Sequence, residues 1–194
     1  MRQWKARLSS LLRHRPAARA ALLIGIGAVG FTRAAWAQPP AVSLPVLQHL
    51  YAEAALHEAA AHRMLALVRS YHGTDAAILG YRAAAEAVQA RYHWGPLAKL
   101  RAVREAQRQF TRAVATDPHN VEVRFLRFTI ETNVPAYLGY SQHLAEDRAL
   151  IMRRAQRLGA LGLDAPAQRL IRDFMLKHGN CTPEEERMLR AYPL

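Results

Sequence analysis

From Leu44 onward, apolar residues return every three or four positions, prolines stand only between such segments, and no stretch shows the strict alternation of a half-buried strand. This period and this placement of proline predict an all-α chain. Seven helices are expected. The first runs over residues 44–70, with Leu47, Leu50, Tyr51, Ala54, Ala61, Met64, Leu65 and Val68 as one apolar stripe and Gly73 beyond its end. Thr74 can cap a second helix carrying Ile78, Tyr81, Ala85, Val88 and Tyr92, and Trp94-Gly95-Pro96 makes a corner that opens a third with Leu97, Leu100, Val103, Phe110 and Val114. Asp117-Pro118-His119-Asn120 breaks the chain before a fourth helix from Val121 to about Thr132. Ser141 is expected to cap a fifth reaching about Leu158, and Asp164 and Pro166 to start a sixth that Gly179 closes. Thr182-Pro183-Glu184-Glu185 is the capping box of a short seventh.

The fourth helix is apolar on two faces. At 100° per residue, Val121, Phe125 and Phe128 share one side, whereas Val123, Leu126 and Ile130 lie on nearly the other. Such a helix must be covered from both directions. Between the faces runs a polar stripe of Arg124, Arg127 and Glu131, whose spacing allows an Arg127–Glu131 ion pair. Under cover, its charges must be paired; in the open, the stripe lines a concave surface.

The first 37 residues differ in kind from the rest. Met1 to Arg19 is basic and free of acid, Ala20 to Phe31 is an uncharged run, and Ala35 and Ala37 bracket Trp36 in the A-x-A pattern of a cleavage site. Residues 1–37 are therefore expected to be an export signal cut after Ala37, leaving residues 38–194 as a single helical domain in the periplasm or secreted. A retained membrane anchor needs roughly 20 apolar residues, and Arg33 interrupts this run after about a dozen. No cysteine stands at the cut, as a lipoprotein requires, and His14 separates Arg13 from Arg15, which excludes a twin-arginine signal.

Cleavage changes the charge. The whole chain has 27 Lys+Arg and 15 Asp+Glu, net +12; the first 37 residues hold seven of the bases and no acid, which leaves 20 against 15, net +5. That excess suits weak attraction to an anionic lipid, another envelope component or an acidic protein, and is too small for a nucleic-acid footprint. Lys99 and Lys177 are the only lysines after Ala37, a pattern read as compositional bias. The lone Cys181 has no partner in the chain for a disulfide, so packing must hold the fold. Residues 38–194 suffice for one core that buries roughly two-thirds of the unfolded surface.

Ala113-Val114-Ala115-Thr116-Asp117-Pro118 resembles the end of a tetratricopeptide repeat, with an echo about 47 residues on at Ala160-Leu161-Gly162-Leu163-Asp164. The W-x2-L-G-x2-Y signature is absent. The resemblance implies stacked antiparallel hairpins, a tetratricopeptide-like right-handed array. Asp117 to Tyr140, DPHNVEVRFLRFTIETNVPAYLGY, also resembles an uncharacterised family of bacterial exported proteins with a D-P-x-N-x-E-x-R-F-L-R-F core followed by T-N-x-P-x-x-L-G-Y. That resemblance carries no activity. It points to Arg124, Arg127, Thr132, Asn133, Pro135, Gly139 and Tyr140 as the functional surface.

Other motifs are weaker. His57-Glu58-Ala59-Ala60-Ala61-His62 resembles the zincin H-E-x-x-H but is one residue too long, so its imidazoles fall on different helical faces and Glu58–His62 reads as a surface pair. Tyr92 and Trp94, next to Gly95-Pro96, and Tyr137 and Tyr140, around Pro135 and Gly139, are either staples between helices or a platform for a sugar or lipid headgroup. Cys181, just ahead of a helix N-terminus, is a candidate for a lowered thiol pKa. No phosphate loop, nucleophile elbow or Cys/His pair occurs, and no cofactor is expected. The expected function is thus a non-enzymatic scaffold that binds a protein or peptide in a groove, through Arg124, Arg127, Glu131, Asn133, Tyr137, Tyr140, Tyr92 and Trp94. The alternative is a small-ligand or lipid-binding periplasmic protein.

Overall fold

Four helices begin where a short polar side chain reaches the backbone three residues ahead. Asp75 accepts from Ile78 N–H, Asn120 from Val123 N–H, Asp164 from Ala167 N–H and Thr182 from Glu185 N–H, with Glu185 answering Thr182 in the full capping box. The computed structural model describes residues 42–192, which lie within the second of the two units into which the chain divides, Gln38–Leu194. The expected export signal at 1–37 lies outside the described residues.

The described residues form eight α-helices and no strand: α1 (Leu44–Ala54), α2 (Glu58–Arg69), α3 (Ala76–Gln89), α4 (Pro96–Thr116), α5 (Val121–Asn133), α6 (Leu144–Arg154), α7 (Ala165–His178) and α8 (Pro183–Ala191). The expected long first helix is two. The chain turns at Ala55-Leu56-His57 with neither proline nor glycine, and the Leu56 and His57 amides both bond back to Glu53 O. The break lets α1 pack on α3 and α7 while α2 packs on α3, which a straight rod of that length cannot do around so small a core. Tertiary packing here overrides a continuous periodic pattern.

Two starts also differ. Asp75, not Thr74, caps α3, because it stands three residues before the first free amide it can reach. Ser141 does not cap α6; its hydroxyl donates to Glu131 O, and α6 begins after His143. Beyond Arg154 that helix tightens into 3-10 turns at Ala155–Arg157 and Gly159–Leu161, ended by Gly162 at φ 88°.

Helix α5 occupies the centre, as its two apolar faces require. Val121, Phe125 and Phe128 join a cluster with Ile151, Leu158, Ile171 and Met175 from α6, α7 and the turns between them. On the other side Leu126, with Ile130 packed beside it, enters the cluster of Leu47, Met64, Val68, Tyr81 and Phe110. Val123 is fully buried against Ala76 and Ala113. Gly80 lets α3 come close to α5: a β-carbon there would stand 3.1 Å from Val123 Cγ2 and 3.5 Å from Val123 Cα. All three clusters are built from residues of Gln38–Leu194, so this unit has its own core. Contact between α1 and α7 brings early and late helices together, whereas repeats in an open solenoid touch only their neighbours.

Candidate functional site

The polar stripe of α5 is consumed by the fold. Asp147, fully buried in the first turn of α6, receives Arg127 as a fork, Nε to Oδ2 at 2.7 Å and Nη2 to Oδ1 at 2.6 Å, and Arg124 Nη1 at 2.9 Å. Arg124 also donates to Glu146 Oε1 at 2.6 Å and, through Nε and Nη2, to Pro118 O at 3.0 and 2.9 Å. Two guanidinium groups thus face two carboxylates. Burial pulls the Arg124 pKa down, but its bonds to Asp147 and Glu146 outweigh that and raise it; the same bond from Arg124 holds the Glu146 carboxyl below its ordinary range. The Arg127–Glu131 ion pair expected from spacing does not form. Glu131 turns to the α5–α6 loop, accepting from His143 N–H at 2.8 Å and pairing with His143 Nδ1 at 2.7 Å. The cluster clamps the Asp-Pro corner, α5 and α6 together.

On the opposite side of α5 sits a second buried polar group. Glu122 accepts from Tyr81 Oη at 2.5 Å and Gln48 Nε2 at 2.8 Å, with no cation in reach among the described pairs. Burial pushes its carboxyl up despite those two bonds. Burial likewise pushes the Tyr51 phenol up to about 12, against a hydrogen bond with Thr129 that pulls it down. Tyr51 is a neutral hydroxyl at any ordinary pH.

Beside this wall lies a cavity of about 680 Å³ between α1, α3, α4, α5 and α7. Its floor is Tyr51, Val88, Phe125, Ile130 and Phe174, and its roof is the loop after α5, from Val134 to Leu138. Alanines create the space: Ala87 and Ala90 in and just after α3 and Ala52 and Ala55 in and after α1 present only methyl groups to it. Of its lining, only Arg91 and Lys99 carry charge, and both are exposed. A smaller cavity of about 500 Å³ on the other side of the loop is polar, lined by Arg104, Arg108, Gln107, Tyr140, His143 and the inner Arg127 and Glu131. Tyr140 closes it, its hydroxyl accepting from Arg104 Nε at 2.7 Å and its carbonyl from Gln107 Nε2 at 3.4 Å.

The residues singled out in the sequence therefore separate. Asn133 and Tyr137 line the apolar cavity; Arg127, Glu131 and Tyr140 line the polar one; Arg124 lines neither. Tyr92 is a staple, its hydroxyl donating to Ala54 O at 2.8 Å, while Trp94, two residues on, is 96 % exposed. Glu58 and His62 form the surface pair expected of them, 3.6 Å apart. At Cys181 the direction is reversed: burial, with Glu185 adding to it, pushes the thiol up, and its Sγ donates to Met175 O at 3.3 Å.

Sequence reasoning missed Arg91, Lys99 and the alanine walls. A signal existed at the end of α3, where the small residues Ala87 and Ala90 leave room that larger neighbours need not fill. Comparison with family models, with curated proteins and with solved structures finds no match to this chain.

Proposed function

We propose that the chain is a non-catalytic binding protein for an amphipathic small molecule, an apolar body in the cavity and an anionic head at Arg91 and Lys99. The observation that carries this reading is the cavity itself. Its size is that of ordinary ligand pockets, roughly 300–1,000 Å³, its walls are apolar, and its only charges are two cations at the rim with no acid among the liners. An empty apolar space of this size forfeits packing that a compact core would keep. Residues 1–37, read as an export signal, would place the protein in the periplasm or outside the cell.

A scaffold for a protein or peptide was the first expectation and the small-ligand reading the alternative; the scaffold leaned on Arg124, Arg127 and Glu131. Those side chains already spend their hydrogen bonds on Asp147, Glu146, Pro118 and His143. An account built on the stacked, tetratricopeptide-like hairpins would need an extended face instead.

Titration with a dansyl-labelled long-chain fatty acid tests the proposal, followed by displacement with unlabelled fatty acids, the matching alkyl amines and a generic amphipathic peptide. Binding that strengthens with chain length and favours the carboxylate over the amine is expected. No binding of the acid, or displacement by the peptide alone, contradicts it.

A further inference from the structure

Among the described residues seven large apolar side chains are exposed; three of them line the cavity and two more lie within two residues of its lining. Leu97 (57 %), Tyr137 (86 %) and Leu138 (37 %) line the cavity, Leu56 (78 %) follows the lining residue Ala55, and Trp94 (96 %) stands two residues before the lining Pro96. The bond from Tyr92 to Ala54 O ties the corner that carries Trp94 to the end of α1 that carries Leu56. Single exposed apolar side chains are ordinary, but a contiguous group around an opening marks an interaction surface. Arg91 and Lys99 stand at the same rim.

We propose that this mouth docks on the surface of an anionic bilayer, with Trp94, Leu97, Tyr137 and Leu56 entering the headgroup region and Arg91 and Lys99 against lipid phosphates. Tryptophan and tyrosine favour that boundary because their rings are apolar and their edges polar. Basic residues near an anionic surface add attraction. No helix of the described residues is long and apolar enough to cross a membrane, so the contact is peripheral, made by side chains at one end of a helical unit. The charge argues for lipid over a second copy: two like mouths would set four cations against each other, whereas an anionic leaflet neutralises them. The inference goes beyond the ligand reading, because a chain that docks need not carry anything.

The test uses Gln38–Leu194, the unit with its own core, in which Trp94 is the sole tryptophan. Sedimentation is measured with vesicles of phosphatidylcholine alone and of equal parts phosphatidylcholine and phosphatidylglycerol. Binding to the anionic vesicles is expected to be at least about tenfold tighter, with a blue shift of Trp94 emission. The double substitution Arg91→Gln/Lys99→Gln should lose most of that preference. Trp94→Ala should weaken binding to both kinds of vesicle while leaving the fatty-acid titration unchanged, since Trp94 is outside the cavity wall. Equal binding to both vesicles, no binding to either, or a dimer in solution whose Trp94 emission is already blue would each overturn the docking. Docking retained by a protein that takes up no fatty acid would instead remove the ligand reading and leave this one standing.

Discussion

The two sides of α5 are built on opposite plans. On the side facing α6, charged groups are brought together until every one has a partner: Asp147, without any exposure, takes three bonds from two arginines, and Arg124 fills its remaining donors with Pro118 O. On the side facing α3 and α4, apolar groups are held apart, and a space of about 680 Å³ is left between them. Saturated polar clusters hold a fold in one arrangement; unfilled apolar walls have a stabilising contact still to make. The polar cluster looks like a site in the sequence and behaves as a clamp. The cavity leaves almost no mark in the sequence and is the better candidate for function.

The sharpest way to break this contrast is to remove the carboxylate at the centre of the clamp. Asp147→Ala strands two buried guanidinium groups, and loss of about 3–5 kcal/mol is expected, read as a fall in the urea midpoint at unchanged m. Gly80→Leu drives a full side chain into space that Val123 and Leu126 already fill, since Cβ alone would stand 3.1 Å from Val123 Cγ2 and 3.4 Å from Leu126 Cδ1; overpacking of this kind costs about 1–3 kcal/mol, checked by the same melts. Tyr92→Phe should cost about 1 kcal/mol by releasing Ala54 O, with the fatty-acid titration little changed because Tyr92 is not a liner.

The legible part of this fold is its local part. The two apolar faces of α5 follow from the positions of Val121, Phe125 and Phe128 against Val123, Leu126 and Ile130, and the caps at Asp164 and Thr182 follow from three-residue spacings. What failed was any inference in which a near partner competed with a far one. Arg127 had Glu131 one turn away, yet bonds to Asp147, 20 residues on. A two-bond fork on Asp147 is stronger than a single contact to Glu131, which His143 takes instead, but nothing in a linear sequence says that residue 147 will be there. The turn at Ala55-Leu56-His57 was hidden for the same reason, since only the packing of α1 on α7 and of α2 on α3 demands it. Voids are harder still, because a cavity belongs to no residue and appears only when several small side chains are brought opposite one another.

Two carboxylates give the contrast a dependence on pH. Glu146 is held low by Arg124, so the stability it contributes is present above the ordinary carboxyl range and is lost as pH falls through its folded value. Glu122 is raised by burial, so its contribution is present below the ordinary range and declines as pH rises toward its raised folded value. Urea melts of the wild type across the acidic range should therefore combine a rise from Glu146 with a later decline from Glu122. Glu122→Gln, which keeps an acceptor for Tyr81 and removes the buried charge, should abolish the decline and leave stability at neutral pH unchanged or slightly higher, the smallest effect expected here.

The most direct measurement is the fatty-acid titration carried out on Val103→Trp, which places an indole inside the apolar cavity, beside Arg104→Gln, which alters only the polar one, with melting curves to show that both variants fold. The account predicts that Val103→Trp abolishes binding and that Arg104→Gln retains it. Binding that survives Val103→Trp and is lost with Arg104→Gln would move the site across the loop and contradict the account.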